Sequence, residues 1–108
     1  MTNALKVVAP FAVQDSFSDI YTPGGGVTFT TGVIHIANTH TAAVTLELCI
    51  DDGGGDVQTN ALLWDISIPA NDFIEFGQGI ILAAGSSLSA KASVTDKIII
   101  NLSGIETT

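Results

Sequence analysis

Val44-Thr-Leu-Glu-Leu-Cys-Ile50 is the stretch of sequence that decides the fold. Aliphatic side chains occupy every second position, and polar or small side chains stand between them. A period of two belongs to a pleated strand with one face toward a core, whereas the roughly 3.6-residue period of a helix would scatter the same side chains around its axis. The stretch therefore predicts a β-strand that buries its aliphatic face and presents Glu47 and Cys49 on the other.

Two further stretches show the same alternation. In residues 87–95, aliphatic residues at the even positions oppose serine, lysine and threonine at the odd positions, which predicts a half-exposed strand. In residues 63–68, Trp64 shares a face with two isoleucines and opposes Asp65. We therefore expect Trp64 to anchor the core, with its indole N–H needing one partner.

The remaining segments are also strand-like. Residues 26–38 are rich in β-branched side chains, and their alternation changes phase at Gly32, where we expect a bulge or bend. Shorter apolar or alternating runs are found at residues 5–9, 73–76, 80–82 and 98–102. Turn-forming residues separate all these runs, and none of the runs shows a helical stripe.

These patterns predict an all-β fold, an antiparallel two-sheet β-sandwich of the jelly-roll or Greek-key type with about seven to nine short strands. A chain of 108 residues is one domain by its size. With 46% apolar and 13% charged residues it is too hydrophobic for disorder, so one packed core is expected. We expect residues 1–13 to form an N-terminal strand or arm and residues 14–108 to form a single sandwich domain.

The charge balance excludes several classes of partner. Eleven acidic residues stand against three lysines, with no arginine, which gives a net charge of -8. Without a basic patch, the chain is not expected to bind nucleic acid directly. No stretch reaches the ~20 apolar residues of a membrane span, and the first ten residues lack the layout of a signal peptide, so we expect no membrane partner and folding in a cytoplasm. Cys49 is the only cysteine, which excludes an internal disulfide.

Three groups of residues could suggest a functional site, but none of them matches the pattern of a metal-binding, catalytic or phosphate-binding site. The acidic loop at residues 51–56 lacks the ligand spacing of an EF-hand, so a solvated hairpin loop is expected rather than a calcium site. His35 and His40 match no hydrolytic or metal-binding motif, and His35 falls on the strand face opposite the core. The glycines at 24–26 precede a strand instead of a helix, so they predict a turn and not a phosphate site. We predict no catalytic, cofactor-binding or metal-binding residues, and no enzyme.

The outward polar positions have an uncommon composition for a solvated surface. They are rich in threonine and serine and poor in lysine and glutamate. Interface cores are depleted in charged residues, and large uncharged surfaces tend to be covered in assemblies. We therefore expect this domain to bury part of its surface against other chains.

Five segments, taken in order, resemble small virion proteins of tailed bacteriophages. They are Ile20-Tyr-Thr-Pro-Gly-Gly-Gly26, Val33-Ile-His-Ile-Ala-Asn-Thr39, Ile68-Pro-Ala-Asn-Asp72, Gly79-Ile-Ile-Leu-Ala-Ala-Gly-Ser-Ser-Leu88 and Leu102-Ser-Gly-Ile-Glu106. The resemblance spans residues 20–106, and it departs from the family pattern at the glycines after Pro23 and in the acidic loop. It implies a structural, non-enzymatic β-sandwich of a phage particle, of the head decoration (cement) or tail-associated type.

On the basis of that resemblance, the expected role is a capsid decoration or cement protein that stabilises the head. Such a chain would be located in the virion after assembly in the cytoplasm of the bacterial host. Its expected partners are the major capsid protein or other virion proteins, and it is expected to form a homo-oligomer, taken as a trimer. A tail, baseplate or fibre-associated subunit is one alternative, and a carbohydrate-binding sandwich that stacks sugar on Tyr21 is a second.

The apolar N-terminal segment is the candidate interface. A first strand with a free edge is suited to pairing with a neighbouring chain. The candidate partner-contacting residues in this segment are Leu5, Val7, Val8, Phe11 and Val13.

Overall fold

The computed structural model describes residues 2–53, 58–77 and 79–108. These residues form nine strands: β1 (Asn3–Ala12), β2 (Ser18–Tyr21), β3 (Thr28–Asn38), β4 (Val44–Asp51), β5 (Ala61–Ile68), β6 (Phe73–Phe76), β7 (Ile81–Leu82), β8 (Ser87–Ala92) and β9 (Ile98–Thr107). A single 3₁₀ turn, Gln58–Asn60, precedes β5. None of the described helices is long and apolar enough to span a membrane. The predicted all-β fold and strand number are confirmed.

The strands form two antiparallel sheets that pack as a sandwich. The five-stranded sheet has the order β1-β9-β3-β6, with β7 also paired to β3, and the four-stranded sheet has the order β2-β8-β4-β5. The predicted two-sheet sandwich is therefore confirmed. Within residues 1–13, β1 is an edge strand of the five-stranded sheet, where it pairs with β9.

The core lies between the two sheets and is built from alternating strand positions. In β4, Val44, Leu46 and Leu48 are fully buried, as the alternation in the first stretch predicts. Each such side chain contributes about 1.5–3 kcal/mol when it leaves water. Phe29 is the largest fully buried side chain, and it faces the four-stranded sheet from β3.

A bulge at Gly32 sets the phase of β3, as predicted. Thr31 pairs with Gly104 of β9 and Ile34 pairs with Leu102, so two residues of β3 stand opposite one residue of β9. The extra residue lets both halves of β3 direct apolar side chains inward, and it leaves Val33 on the outer side.

The prediction that residues 87–95 form a half-exposed strand is wrong. Strand β8 lies between β2 and β4, and Ser87 and Ser89 on its outer side are both buried. Their hydroxyls have partners: Ser87 shares a hydrogen bond with Thr22, and Ser89 donates to the Ser18 carbonyl. Serine tolerates burial here because its hydrogen-bonding group is satisfied within the sheet.

The prediction that Trp64 anchors the core is also wrong. Leu46 pairs with Ile66 while Leu48 pairs with Leu63, so β5 carries an extra residue opposite Glu47. Asp65 adopts a left-handed conformation at φ 54°, which accommodates the bulge. The bulge turns Trp64 away from the core, and its ring stacks instead on Phe17.

Candidate interaction surface

The outer side of the five-stranded sheet carries a row of apolar side chains. Directly paired residues of neighbouring strands point to the same side of a sheet. Leu5 of β1 pairs with Ile105 of β9, Ile105 pairs with Thr30 of β3, and Thr30 pairs with Ile81 of β7. Leu5 is 87% exposed and Ile81 is 65% exposed, so the row faces solvent from one sheet edge to the other.

Neighbouring rows continue this apolar surface. Val7 pairs with Ser103, and Val33 projects from the adjoining bulge. Farther along β3, the His35 ring stacks on Phe73 of β6 with centroids 4.9 Å apart. We call this outer side of the five-stranded sheet the open face. It is centred on the exposed residues Leu5, Val7, Val33, Phe73, Ile81 and Ile105, which are six of the seven exposed large hydrophobic residues in the described part of the chain.

Two adjoining depressions shape the open face. They have volumes of about 470 and 430 Å³ and share Val7 and Ser103. The first extends toward His35 and Glu75, and the second extends toward Leu5. The face is therefore grooved, which is the relief that an interdigitating partner surface requires.

The open face is almost free of charge, although the chain is strongly acidic. Among the outward positions of the strands that build this face, only His35 and Glu75 can ionise, and the two are direct cross-strand partners. A net charge of -8 makes most approaches between acidic surfaces repulsive. The open face is the part of this surface where a partner can bury apolar area with little charge to desolvate.

The outer side of the four-stranded sheet is closed by the chain itself. Phe17 precedes β2 and Trp64 lies in β5, at opposite edges of this sheet, yet their rings stack with centroids 6.3 Å apart. The Lys91 ammonium group lies 5.8 Å from the centre of the Phe17 ring. Cys49 and Ser89 point outward from this sheet and are fully buried. The two outer surfaces of the sandwich therefore differ, and six of the seven exposed large hydrophobic residues of the described chain lie on the five-stranded sheet.

Tyr21 joins the two sheets at one end of the sandwich. Its hydroxyl donates to the Glu106 carboxylate, its ring packs against Phe29 with centroids 4.7 Å apart, and the Lys6 ammonium lies 5.8 Å above the ring. The pKa of Tyr21 is raised to about 12, mostly by burial and further by the hydrogen bond to Glu106 and its negative charge. Because both the ring and the hydroxyl are engaged within the chain, Tyr21 does not provide a free stacking surface for a sugar.

The structure divides the five N-terminal candidate residues into two groups. Leu5 and Val7 are exposed on the open face. Val8 and Phe11 pack against the core, and Val13 is fully buried. Sequence reasoning grouped them as one apolar segment, whereas the alternation of β1 and a bulge between Val8 and Phe11 separate them.

The other members of the open face were missed because they lie far apart in the sequence. Val33, Phe73, Ile81 and Ile105 come from four different strands, and only the strand order brings them together. His35 does face outward, as predicted, and is partly covered by its contact with Phe73.

The predicted solvated loop is described only in part. Asp51 accepts a hydrogen bond from the backbone N–H of Gly53, and Asp56 lies outside the described residues. Within residues 2–53, 58–77 and 79–108, no group of three or more histidine, cysteine, aspartate or glutamate side chains is arranged to hold a metal ion.

Comparisons with known proteins give a limited similarity. No protein-family model and no curated protein matches the chain. Two solved structures, both of a pentameric capsid protein isolated from metagenomic phage sequences, are similar at 18% identity and a TM-score of 0.45. The match covers 94% of this chain but only 60% and 61% of the two solved chains. At this identity and TM-score, the similarity assigns neither a partner nor a location to the present chain.

Proposed function

We propose that this chain is a structural component of a bacteriophage virion, and specifically a capsid decoration or cement protein that binds the head through its open face. The resemblance of residues 20–106 to small virion proteins supports the virion class. Binding through the open face is supported by the contrast between the two outer surfaces. The outer side of the four-stranded sheet is closed by Phe17 and Trp64, whereas that of the five-stranded sheet exposes an apolar, nearly uncharged face.

The strand order supports the same class of protein. Successive strands alternate between the sheets from β1 to β4, and β9 returns to lie between β1 and β3. Two interleaved Greek keys produce this arrangement in jelly rolls, a fold used by viral capsid domains and by lectins. Because fold alone does not determine function, the proposed binding to the head depends on the properties of the open face.

The area of the open face is sufficient for a specific contact. Strands β1 and β9 have 10 residues each and β3 has 11. At about 3.4 Å per residue and about 4.8 Å between strands, these three strands and the six residues of β6 and β7 give a footprint of roughly 600 Å² per partner. Burying roughly 1,200 Å² in total lies at the lower end of the range of stable protein interfaces. Many copies on a repeating shell would multiply the effect, since expansion of the shell would have to break many such contacts at once.

Binding to purified heads of the phage that encodes this chain tests the proposal. Wild-type chain is expected to cosediment with heads, and the open-face variants Val33→Asp and Ile81→Asp are expected to bind at least about tenfold more weakly, because each buries an unpaired charge in the contact. Ser67→Asp is the control, since Ser67 is exposed and pairs with the outward-facing Thr45 of β4 on the other sheet. Equal binding by all the variants would contradict the open-face contact. Cosedimentation with tails and not with heads would replace the cement role by the tail-associated alternative.

A further inference from the structure

The outer edge of β1 carries backbone groups that have no partner strand. Thr2 and Thr108 exchange two hydrogen bonds, each of 2.9 Å. In an antiparallel ladder, hydrogen-bonded and non-hydrogen-bonded pairs alternate, so the even residues of β1 up to Val8 bond to β9. The odd residues Asn3, Leu5 and Val7 therefore direct their N–H and C=O groups away from β9. No other strand of the described chain pairs with this edge.

The available edge is short and has definite limits. A bulge interrupts the pairing between Val8 and Phe11, and Pro10 within it has no N–H group to donate. Bulges and prolines are features that block further strand pairing. The edge open to a partner is therefore confined to residues 2–8, where Lys6 is the only charged side chain.

We infer that a second copy of this chain pairs antiparallel with this edge, about a two-fold axis that passes through Leu5. In this register Leu5 faces Leu5 of the second copy, and Asn3 faces Val7 of the second copy. The three odd residues of each copy then form hydrogen-bonded pairs with those of the other copy. Lys6 of one copy lies opposite Ala4 of the other. Moving the axis to Lys6 would place two like charges directly opposite each other in a close pair, which is unfavourable.

The charge distribution makes the β1 edge a place where two copies can meet. Two chains with a net charge of -8 repel each other over most approaches. The β1 edge contains no acidic residue, so two copies can meet here without placing carboxylates in contact. The pairing joins two five-stranded sheets into one continuous sheet with both open faces on the same side.

This inference goes beyond the proposed function and does not depend on it. It concerns the contact between copies, whichever particle the open face binds. It also joins copies in pairs, so the trimer expected from the sequence would need a different contact.

Proline substitution separates edge pairing from side-chain contact. Val7→Pro removes an N–H group that β9 does not use, so the fold is expected to persist, as it does for prolines on edge strands. Val7→Ala is the matched control because it shortens the same side chain and keeps the N–H group. By sedimentation equilibrium, wild-type chain is expected to be a dimer, Val7→Pro is expected to dimerise at least about tenfold more weakly, and Val7→Ala is expected to remain mainly dimeric. A monomeric or trimeric wild type, a fully dimeric Val7→Pro, or equal losses in the two variants would overturn the inference.

Cysteine crosslinking tests the register and does not depend on the folding of the proline variant. Under mild oxidation, Leu5→Cys is expected to form an intermolecular disulfide, because paired strands place directly opposite residues within bridging distance. Val7→Cys alone is the control: its two introduced thiols would lie about 14 Å apart, too far to bridge. A mixture of Asn3→Cys and Val7→Cys chains is expected to crosslink between the two variants. The native Cys49 is fully buried and does not compete. Failure of Leu5→Cys to crosslink, or equal crosslinking by Val7→Cys alone, would refute the register.

Discussion

Removal of the Tyr21 hydroxyl tests how the two sheets are held together at one end. Tyr21 on β2 donates to Glu106 on β9, so this hydrogen bond connects the four-stranded to the five-stranded sheet. A hydrogen bond to a charged acceptor contributes about 1.5–3 kcal/mol, and partial solvent exposure reduces that value. Tyr21→Phe keeps the ring against Phe29. It is therefore expected to lower the free energy of unfolding at neutral pH by about 1–2 kcal/mol.

The pH dependence of this contribution has a definite sign. The pKa of Tyr21 is raised from 10.0 to about 12 in the folded chain, by burial first and then by Glu106. The folded state therefore prefers the protonated phenol. The resulting stabilisation is complete below pH 10 and is lost as the pH rises through about 12. The stability difference between wild type and Tyr21→Phe is expected to shrink across that interval.

The assay is direct because Tyr21 is the only tyrosine in the chain. Spectrophotometric titration of the folded protein reports the pKa of this one phenol, and denaturant unfolding at several pH values reports stability. Glu106→Gln serves as the control, since it keeps an oxygen acceptor and removes the charge. Its Tyr21 pKa is expected to fall below about 12 and to stay above 10.0, because desolvation remains. An unshifted pKa in the folded wild type, together with unchanged stability in Tyr21→Phe, would refute the role assigned to this hydrogen bond.

Three further substitutions and one chemical modification test the sandwich itself. Gly104→Ala is expected to lower the free energy of unfolding by more than about 2 kcal/mol, because a Cβ there would collide with the Thr30 carbonyl and the Phe29 ring. Gly32→Ala is expected to lower it by less than about 1 kcal/mol, because a Cβ there would lie 3.5 Å from the Ser103 carbonyl, which is an ordinary contact. Denaturant unfolding measures both, and equal costs would contradict the packing at Gly104. Asn38→Ala is expected to lower the free energy of unfolding by about 2–3 kcal/mol, because it removes the hydrogen bonds of a buried side chain. The Asn38 amide group donates to the Ala42, Ile68 and Pro69 carbonyls, and its oxygen accepts from the His40 N–H. A change below about 0.5 kcal/mol would contradict this. The Cys49 thiol is fully buried, so it is expected to react with a thiol reagent more than about a hundredfold more slowly in the folded chain than in denaturant. Rapid labelling of the folded chain would show that the outer side of the four-stranded sheet is not closed.

The sequence predicts the strands well because their period is local. The alternation in residues 44–50 and the phase change at Gly32 are visible without any partner strand, and the structure confirms both. The bulge in β5 leaves no comparable mark, since the left-handed residue is Asp65 and not a glycine. The sequence therefore gives a wrong prediction of the side of the sheet on which the Trp64 ring lies.

The burial of whole faces depends on strand order, which the sequence does not specify. Ser89 is buried because β8 is a central strand of a sheet whose outer side is covered, and neither property can be inferred from residues 87–95 alone. The open face depends on the same information. Leu5 and Val7 were identified from one strand, whereas Ile81 and Ile105 join them only because β1, β9, β3 and β7 are neighbours.

The central claim is that the outer side of the five-stranded sheet, and not that of the four-stranded sheet, contacts the particle. A cryo-electron microscopy reconstruction of the phage head tests it most directly, because a sandwich of this size has two distinguishable faces. The account predicts copies of the chain on the head with Val33 and Ile81 buried against the shell and the Phe17–Trp64 stack facing solvent. Copies that contact the shell through the Phe17–Trp64 side, with Val33 and Ile81 exposed, would contradict the account.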